Sequence, residues 1–291
     1  MDRDVIVSVV IPAYNREKLI GRCLGSILNQ TFQDFEIIVV DDCSADKTVE
    51  VVNNFTDSRV RTCVKLEKNS GACFARNHGA SLARGKYIAF QDSDDEWLPD
   101  KLEKQVKYLE EHDYDMVFCG MTRKNPFSGK ENYFPPYAFA ETKDAQQQLL
   151  YENCVSTQCI LIKKEAFEKV RFDDAIRKFQ DWDFAIRAAK CLKMGYLPEA
   201  LVVSEVQQDS ISRTVPRYDS LKVLFDKYNG EIIGNPEIHA RFLKKMGDAF
   251  YKKEPKRAAG FYKKSVGIRF DAKVFGKMLI SAARGGGFIG E

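Results

Sequence analysis

Three carboxylates crowd into Asp92-Ser93-Asp94-Asp95, directly after the apolar run Lys86-Tyr87-Ile88-Ala89-Phe90-Gln91. Carboxylates at the end of a buried strand repel one another and lose hydration, so the cluster implies a cation among the oxygens. Hard oxygen ligands suit Mg2+ or Mn2+, and those ions bind diphosphates. The expected chemistry is a divalent metal holding a phosphorylated substrate. The plain alternative is a solvated acidic turn before Pro99.

Four other clusters could share that chemistry. The run Val7-Ser8-Val9-Val10-Ile11-Pro12-Ala13-Tyr14-Asn15-Arg16 ends in a proline expected to stop a ladder, an aromatic able to stack on a base, and an amide. A strand-to-helix turn capped by Asn15 is the alternative. Asp41-Asp42-Cys43-Ser44 follows a second apolar run. An ionised Asp only accepts hydrogen bonds, so it could take the N3–H of a uracil ring, or it could cap a helix. In Asn69–Gly79, Arg76 stands among small residues, and its long arm could reach a diphosphate or an acidic turn. An ordinary surface ion pair is the alternative, and His78 reads as a structural or surface histidine. In Phe179-Gln180-Asp181-Trp182-Asp183 a carboxylate opens a helix beside tryptophan. The helix N-terminus favours the anion while apolar walls raise its pKa, a setting for a general base; plain capping by Asp181 competes.

The elements that must position these clusters follow from periodicity. Val5–Pro12, Phe35–Val40, Arg59–Lys65, Lys86–Gln91 and Tyr114–Met121 read as strands. Glu17–Asn29, Ala45–Phe55 behind an N-cap at Ser44, Gly71–Arg84 and Pro99–Glu111 read as helices. This alternation predicts an α/β architecture: a mostly parallel sheet flanked by helices, with ligands beyond the carboxyl ends of the strands. Gly120–Ala140 reads as a loop or hairpin over the site, 143–151 and 164–169 as short helices around a strand at 158–163, and Gln180–Lys190 as a helix. Composition shifts near Arg213–Pro216, which divides the chain into 1–215 and a helical C-terminal appendage, 216–291. From Arg241 to Arg284 there are 13 Lys/Arg against three Asp/Glu, so the appendage should carry a basic face. Ala240–Lys264 resembles one helix–turn–helix pair of a tetratricopeptide-like unit.

Composition narrows the function classes. A net charge of +3 gives no argument for nucleic acid. Val5–Ala13 is too short to span a bilayer. Eight cysteines form no CxxC pair, which argues against zinc. The polar, acidic start Met1-Asp2-Arg3-Asp4 is unlike an export signal, so a cytoplasmic chain with reduced thiols is expected. No G-x-G-x-x-G follows the first strand, against a dinucleotide oxidoreductase. A phosphoacceptor receiver would carry its acidic pair after the first strand, not the second.

Taken in order, VSVVIPAYNRE, SILNQTFQDF, IIVVDDCSADKT, NSGACFARNHGA, RGKYIAFQDSDDEWLPDKL and QDWDFAIR make the chain resemble family-2 glycosyltransferases of the GT-A (nucleotide-diphospho-sugar transferase) fold, as in bacterial polysaccharide biosynthesis. The resemblance runs from Val5 to about Ser212. It implies a UDP-sugar donor, a Mn2+ or Mg2+ ion, a glycan or lipid-linked glycan acceptor, and inversion at the sugar C1. It implies that Pro12, Tyr14 and Asn15 line the nucleoside pocket and that Asp42 meets the uracil. Arg76 would support the base or diphosphate, Asp92 the ribose or sugar, Asp94 the metal, and Asp181 would be the catalytic base. Residues 150–160 and the 125–140 loop would shape the acceptor site. Two departures stand out: Gln180 replaces the Glu common before the base, and Gln207–Ser212 lacks the histidine many members carry there. A non-catalytic nucleotide-sugar-binding protein of the same fold is the competing reading. The basic appendage suggests peripheral contact with the inner membrane face, against a solvated lysine-rich packing face.

Overall fold

The computed structural model describes residues 5–136, 139, 145–205 and 216–286. They divide into two compact units, one within Met1–Gln146 and Asn153–Gln208, the other within Gln147–Glu152 and Asp209–Glu291. The short stretch 147–152 therefore belongs with the C-terminal helices, a detail that composition did not signal.

In the first unit, Val7–Ala13 (β1) and Phe35–Asp41 (β2) are buried along their whole length. Their unbroken β-branched runs suit central strands covered on both faces. Val60–Lys65 (β3), Tyr87–Phe90 (β4), Glu96–Trp97 (β5), Met116–Asn125 (β6), Lys130–Phe134 (β7), Ile160–Lys163 (β8) and Met194–Glu205 (β9) complete the sheet, in the order β3-β2-β1-β4-β8-β6-β9-β5, with β7 paired to β6. Pairing is parallel from β3 through β4 and between β6 and β9. It is antiparallel between β4 and β8, β8 and β6, β6 and β7, and β5 and β9. The sheet is thus mixed, not mostly parallel. The reversed pairings come from β8, which inserts antiparallel to both β4 and β6, and from β7 and β5 at their neighbours' edges; β9, parallel to β6, contains Pro198. The ladder accommodates it by a bulge: Cys119 pairs with Leu197 but Gly120 with Ala200, leaving Pro198 and Glu199 unpaired.

Pro12 does not end β1 either. Val10 O accepts from Gln91 N on one side, and Ala13 O accepts from Asp42 N on the other. Backbone groups alternate sides along a strand, so the N–H that Pro12 lacks would point past the end of β4. No ladder bond is lost there.

Helices Ile20–Leu28 (α1), Thr48–Asn53 (α2), Ala72–Ser81 (α3), Lys101–Glu111 (α4), Ala145–Tyr151 (α5), Lys164–Val170 (α6) and Gln180–Ala188 (α7) accompany the strands in chain order, with most of α5 in the stretch that belongs to the second unit. Helix α3 lies close on β1 and β2 because Gly79 has no side chain; a Cβ there would stand 2.5 Å from Val10 Cγ1 and 3.1 Å from Val40 Cγ2. Phe90, Phe167, Phe172 and Phe184 stack and tilt against one another at 4.5–6.0 Å, fixing α6 and α7 beneath the end of β4.

The second unit holds Arg217–Lys227 (α8), Asn229–Gly234 (α9), Pro236–Phe250 (α10), Pro255–Ile268 (α11) and Ala272–Arg284 (α12). Asn235 caps α10 and Asp271 caps α12, each accepting two backbone N–H bonds. Gly247 lets Tyr262 lie flat between α10 and α11, since a Cβ would meet its ring at 2.6 Å. Phe250, Ala258, Tyr262 and Val274 form the core of this unit. Among the described residues no helix is long and apolar enough to cross a membrane.

Candidate functional site at the carboxyl edge of the sheet

The loops after β1, β2 and β4 meet at one edge of the sheet. Antiparallel β8 begins at that edge and β6 ends there, because both are reversed relative to one another beside β4. The first two loops are laced together. Asn15, with a left-handed backbone (φ 52°), donates its N–H to Ser44 Oγ at 2.8 Å, and its Oδ1 accepts from Ala45 N at 2.9 Å. Ser44 is therefore not the N-cap of α2, and Asn15 is a clamp between loops rather than a cap. Pro12 is buried within β1, whereas Tyr14 is 45% exposed at the rim.

The paired acids after β2 take separate tasks. Asp41 Oδ1 accepts from Ser44 N at 2.9 Å. Asp42 is buried, and its two oxygens accept from Ser70 N at 2.6 Å and Gly71 N at 2.8 Å. Asp42 thereby fixes the entry to α3, where Gly71 adopts φ 92°, a value glycine tolerates readily.

Arg76, on α3, turns to the acidic turn. Its Nη2 donates to Asp92 Oδ1 at 2.6 Å and its Nη1 to Gln180 Oε1 at 2.8 Å, over the Phe172 ring at 5.4 Å. Arg76 is almost fully buried, so this is a fixed brace and not a solvent-swept arm. Gln180 serves here through its amide oxygen; a carboxylate is not required to hold the arginine.

The three acids after β4 also separate. Asp92 pairs with Arg76. Asp94 lies 4.0 Å from Arg16 Nε. Asp95 is buried and accepts from Gln158 Nε2 at 2.8 Å. Burial, then the charges of Asp94 and Asp92, push its carboxyl well above the usual range. Each acid takes a different partner, but the repulsion read from sequence persists at Asp95, whose carboxyl the charges of Asp94 and Asp92 still raise. Among the described residues no group of three or more His, Cys, Asp or Glu is arranged to hold a metal. The donor set does not fit an all-protein cage; an ion there would be gripped by one or two carboxylates and completed by substrate phosphate and water.

Asp181 opens α7. The preceding Phe179 is left-handed (φ 65°), an uncommon state for a bulky residue and one that clusters at functional sites. Asp181 Oδ1 accepts from Trp182 N at 2.8 Å and Oδ2 from Asn153 Nδ2 at 3.1 Å. Loss of hydration raises its carboxyl above the ordinary range, against the opposing pull of the Trp182 N–H and the Arg123 charge; Asp92 adds to the rise.

One network therefore runs from Asp42 through α3 to Arg76, Asp92, Gln180 and Asp181. Arg123 falls outside the expected site residues, whereas Asn153 and Gln158 lie in the 150–160 stretch expected to shape the acceptor site, without individual roles. Their signal is weak: Arg123 sits in what reads as a hairpin, and Asn153 and Gln158 in a polar stretch without periodicity. Gln207–Ser212 and part of the 125–140 loop lie outside the described residues. A separate cleft of about 1100 Å3 opens at the amino edge of β1 and β4; Arg84, Lys86 and Lys164 face Glu110 and Glu165 there, away from these groups.

Comparison with known proteins gives the family and the fold. Residues 8–171 match the family model described as Glycosyl transferase family 2. An uncharacterized glycosyltransferase of Haemophilus influenzae is 30% identical over 77% of this chain and 87% of its own length. The uncharacterized glycosyltransferase MJ1057 of Methanocaldococcus jannaschii is 34% identical over 66% of each chain. The amylovoran biosynthesis glycosyltransferase AmsB of Erwinia amylovora is 34% identical over 65% of each. Against several curated relatives the match spans under two thirds of their length. In three dimensions the chain superimposes on Staphylococcus aureus TarS 1–349 in complex with UDP-GlcNAc with a TM-score of 0.72 at 21% identity, over 98% of this chain and 93% of that one. That likeness gives the GT-A-like fold. The chain belongs to glycosyl transferase family 2.

Proposed function

We propose that the protein is an inverting, metal-dependent glycosyltransferase that moves a sugar from a nucleoside diphosphate, a UDP-hexose or UDP-N-acetylhexosamine, to a hydroxyl of a glycan or lipid-linked glycan during cell-surface polysaccharide synthesis. The observation that carries the reading is Asp181: a partly dehydrated carboxylate of raised pKa, held by Asn153 and braced beside the Arg76–Asp92 pair. Relatives support the acceptor class. AmsB is named for amylovoran biosynthesis, and Escherichia coli WfaP, 42% identical over 36% of this chain, is named as a UDP-Glc:alpha-D-GlcNAc-diphosphoundecaprenol beta-1,3-glucosyltransferase. The UDP-GlcNAc and UDP complexes of TarS support the donor class.

In this mechanism Tyr14 stacks on the base and Asp42, through a remaining lone pair, accepts the uracil N3–H. Asp92, held still by Arg76, meets the ribose or the sugar. Asp94 would hold a Mn2+ or Mg2+ ion, which would supply charge neutralisation to the diphosphate leaving group. Asp181 removes the proton from the acceptor hydroxyl as that oxygen attacks C1 from the face opposite UDP. The new C1–O bond forms as the C1–O bond to the diphosphate breaks, and the configuration inverts.

The test has two arms. A thermal-shift screen of UDP-, GDP- and dTDP-sugars with Mn2+ should single out UDP-sugars, and Asp94→Ala should weaken that binding. Asp181→Ala should abolish transfer but leave UDP binding intact. Donor turnover that survives exhaustive chelation would remove the metal from the scheme. A wild-type chain that binds UDP-sugars but never transfers them would favour the non-catalytic reading.

A further inference from the structure

The last helix, Ala272–Arg284, has two unlike faces. Val274, Met278 and Ser281 turn inward against the core of the C-terminal unit. The outward face carries Phe275 (38% exposed), Leu279 (46%) and Ile280 (49%), interleaved with the small residues Ala272, Gly276 and Ala283. The loop before it adds Phe270, 69% exposed, whose ring lies 5.9 Å from that of Phe275. On a helical wheel these positions form one strip, and Lys273, Lys277 and Arg284 line its border. A large exposed apolar strip of this kind marks an interaction surface.

Charge decides the partner. Residues 216–291 carry 16 Lys/Arg against eight Asp/Glu, whereas residues 1–215 carry 29 against 34. Between 251 and 286 ten Lys/Arg stand against Glu254 and Asp271 alone. Glu254 pairs with Arg257, Asp248 with Lys277 and Glu237 with Arg269, so Lys273 and Arg284 carry the border's share of the surplus. Apolar residues bordered by excess cations match the boundary between acyl chains and anionic headgroups. A hydrophobic protein partner would need no such surplus.

We propose that the face Phe270–Phe275–Leu279–Ile280 docks into the surface of an anionic lipid bilayer, lying in the headgroup plane with Lys273 and Arg284 on lipid phosphate. The proposal goes beyond the transfer reaction, because docking does not depend on which sugar is moved.

The test is co-sedimentation of the full chain with vesicles of neutral phosphatidylcholine, with or without 30% phosphatidylglycerol as the probe lipid. The wild type should pellet with the anionic vesicles and leave them as salt is raised. Phe275→Ser with Leu279→Ser should lower the partition by roughly tenfold or more, and Lys273→Gln by roughly fivefold. These are exposed positions, and unchanged far-ultraviolet circular dichroism and UDP binding would certify the fold. Equal partition of wild type and double variant would overturn the proposal. So would analytical ultracentrifugation showing a wild-type dimer that Phe275→Ser converts to monomer, since the face would then belong to a second copy. Failure of donor turnover alone would leave vesicle binding unaffected, so the two readings fail separately.

Discussion

At the scale of single residues, the site works by giving each acid its own partner. Asp181 is the proposed base. Its carboxyl is raised by dehydration, so it is protonated, and useless as a base, at a pH where ordinary aspartates are already ionised. Transfer should therefore fall away on the acid side with an apparent pKa above the ordinary Asp value of about 3.9, and Asp181→Asn should lose roughly 10²–10⁴-fold in kcat across the profile. A pH–rate series on both proteins checks this; an acid limb retained in the Asn variant would assign the base elsewhere. Asp95 plays the opposite part. Its folded pKa is raised, so its contribution to stability is present below the unfolded value and is lost as pH rises through the folded one. Asp95→Asn keeps an acceptor for Gln158 and removes the dehydrated charge. It should raise stability at pH 8 by on the order of 1 kcal/mol and flatten the pH dependence, measurable by urea denaturation at pH 5 and pH 8.

At the scale of elements, α3 is the part on which the site depends. Asp42 fixes its start, Gly79 sets its distance from the sheet, and Arg76 reaches from it to α7. Gly79→Ala should push the helix off Val10 and Val40 at a cost of about 1–3 kcal/mol, and should also loosen Asp92 and Gln180. Transfer is expected to suffer at temperatures where the variant is still folded, which activity and circular dichroism measured together will separate. The Glu36 carboxylate braces the far end of the same strands. Burial opposes its ionisation, but the Arg84 N–H, the Ser8 hydroxyl and the Arg84 side chain overcome this and lower its pKa. That stability is present above the unfolded pKa and is lost as pH falls through the folded one.

At the scale of the whole molecule, two units carry separate cores and opposite charge balance. The second unit is bound to the stretch 147–152 by Glu152, whose Oε1 lies 2.5 Å from Lys245 Nζ and whose other oxygen meets Arg241. Burial pulls Lys245 down to about 8 even though Glu152 favours its charge. The unfolded lysine titrates near 10.4, so between pH 8 and about 9.5 the unfolded chain binds the extra proton and stability should rise with pH. Hydrogen exchange followed across that window in α10 should show it, and Lys245→Met should abolish the slope. Glu152→Gln leaves two cations facing each other. With partial exposure it should cost about 2 kcal/mol, less than the 3–5 of a fully buried pair.

Most elements and the edge that gathers the acids were legible in the chain's local patterns. Apolar runs ending in Asp41-Asp42 and Asp92–Asp95 are local patterns, so strands, helices and the acids at their carboxyl ends could be read directly, as could the helical, basic C-terminal region. Only the tertiary structure decided which partner each acid takes. Arg76 and Gln180 are 104 residues apart, Asp95 and Gln158 are 63 apart, and Asp181 is reached by Asn153 across 28. These partners meet only in the folded chain, where β8 inserts antiparallel between β4 and β6 and α7 comes beside α3. No local periodicity encodes that order, since hydrogen-bonded neighbours in a sheet need not be neighbours in the chain.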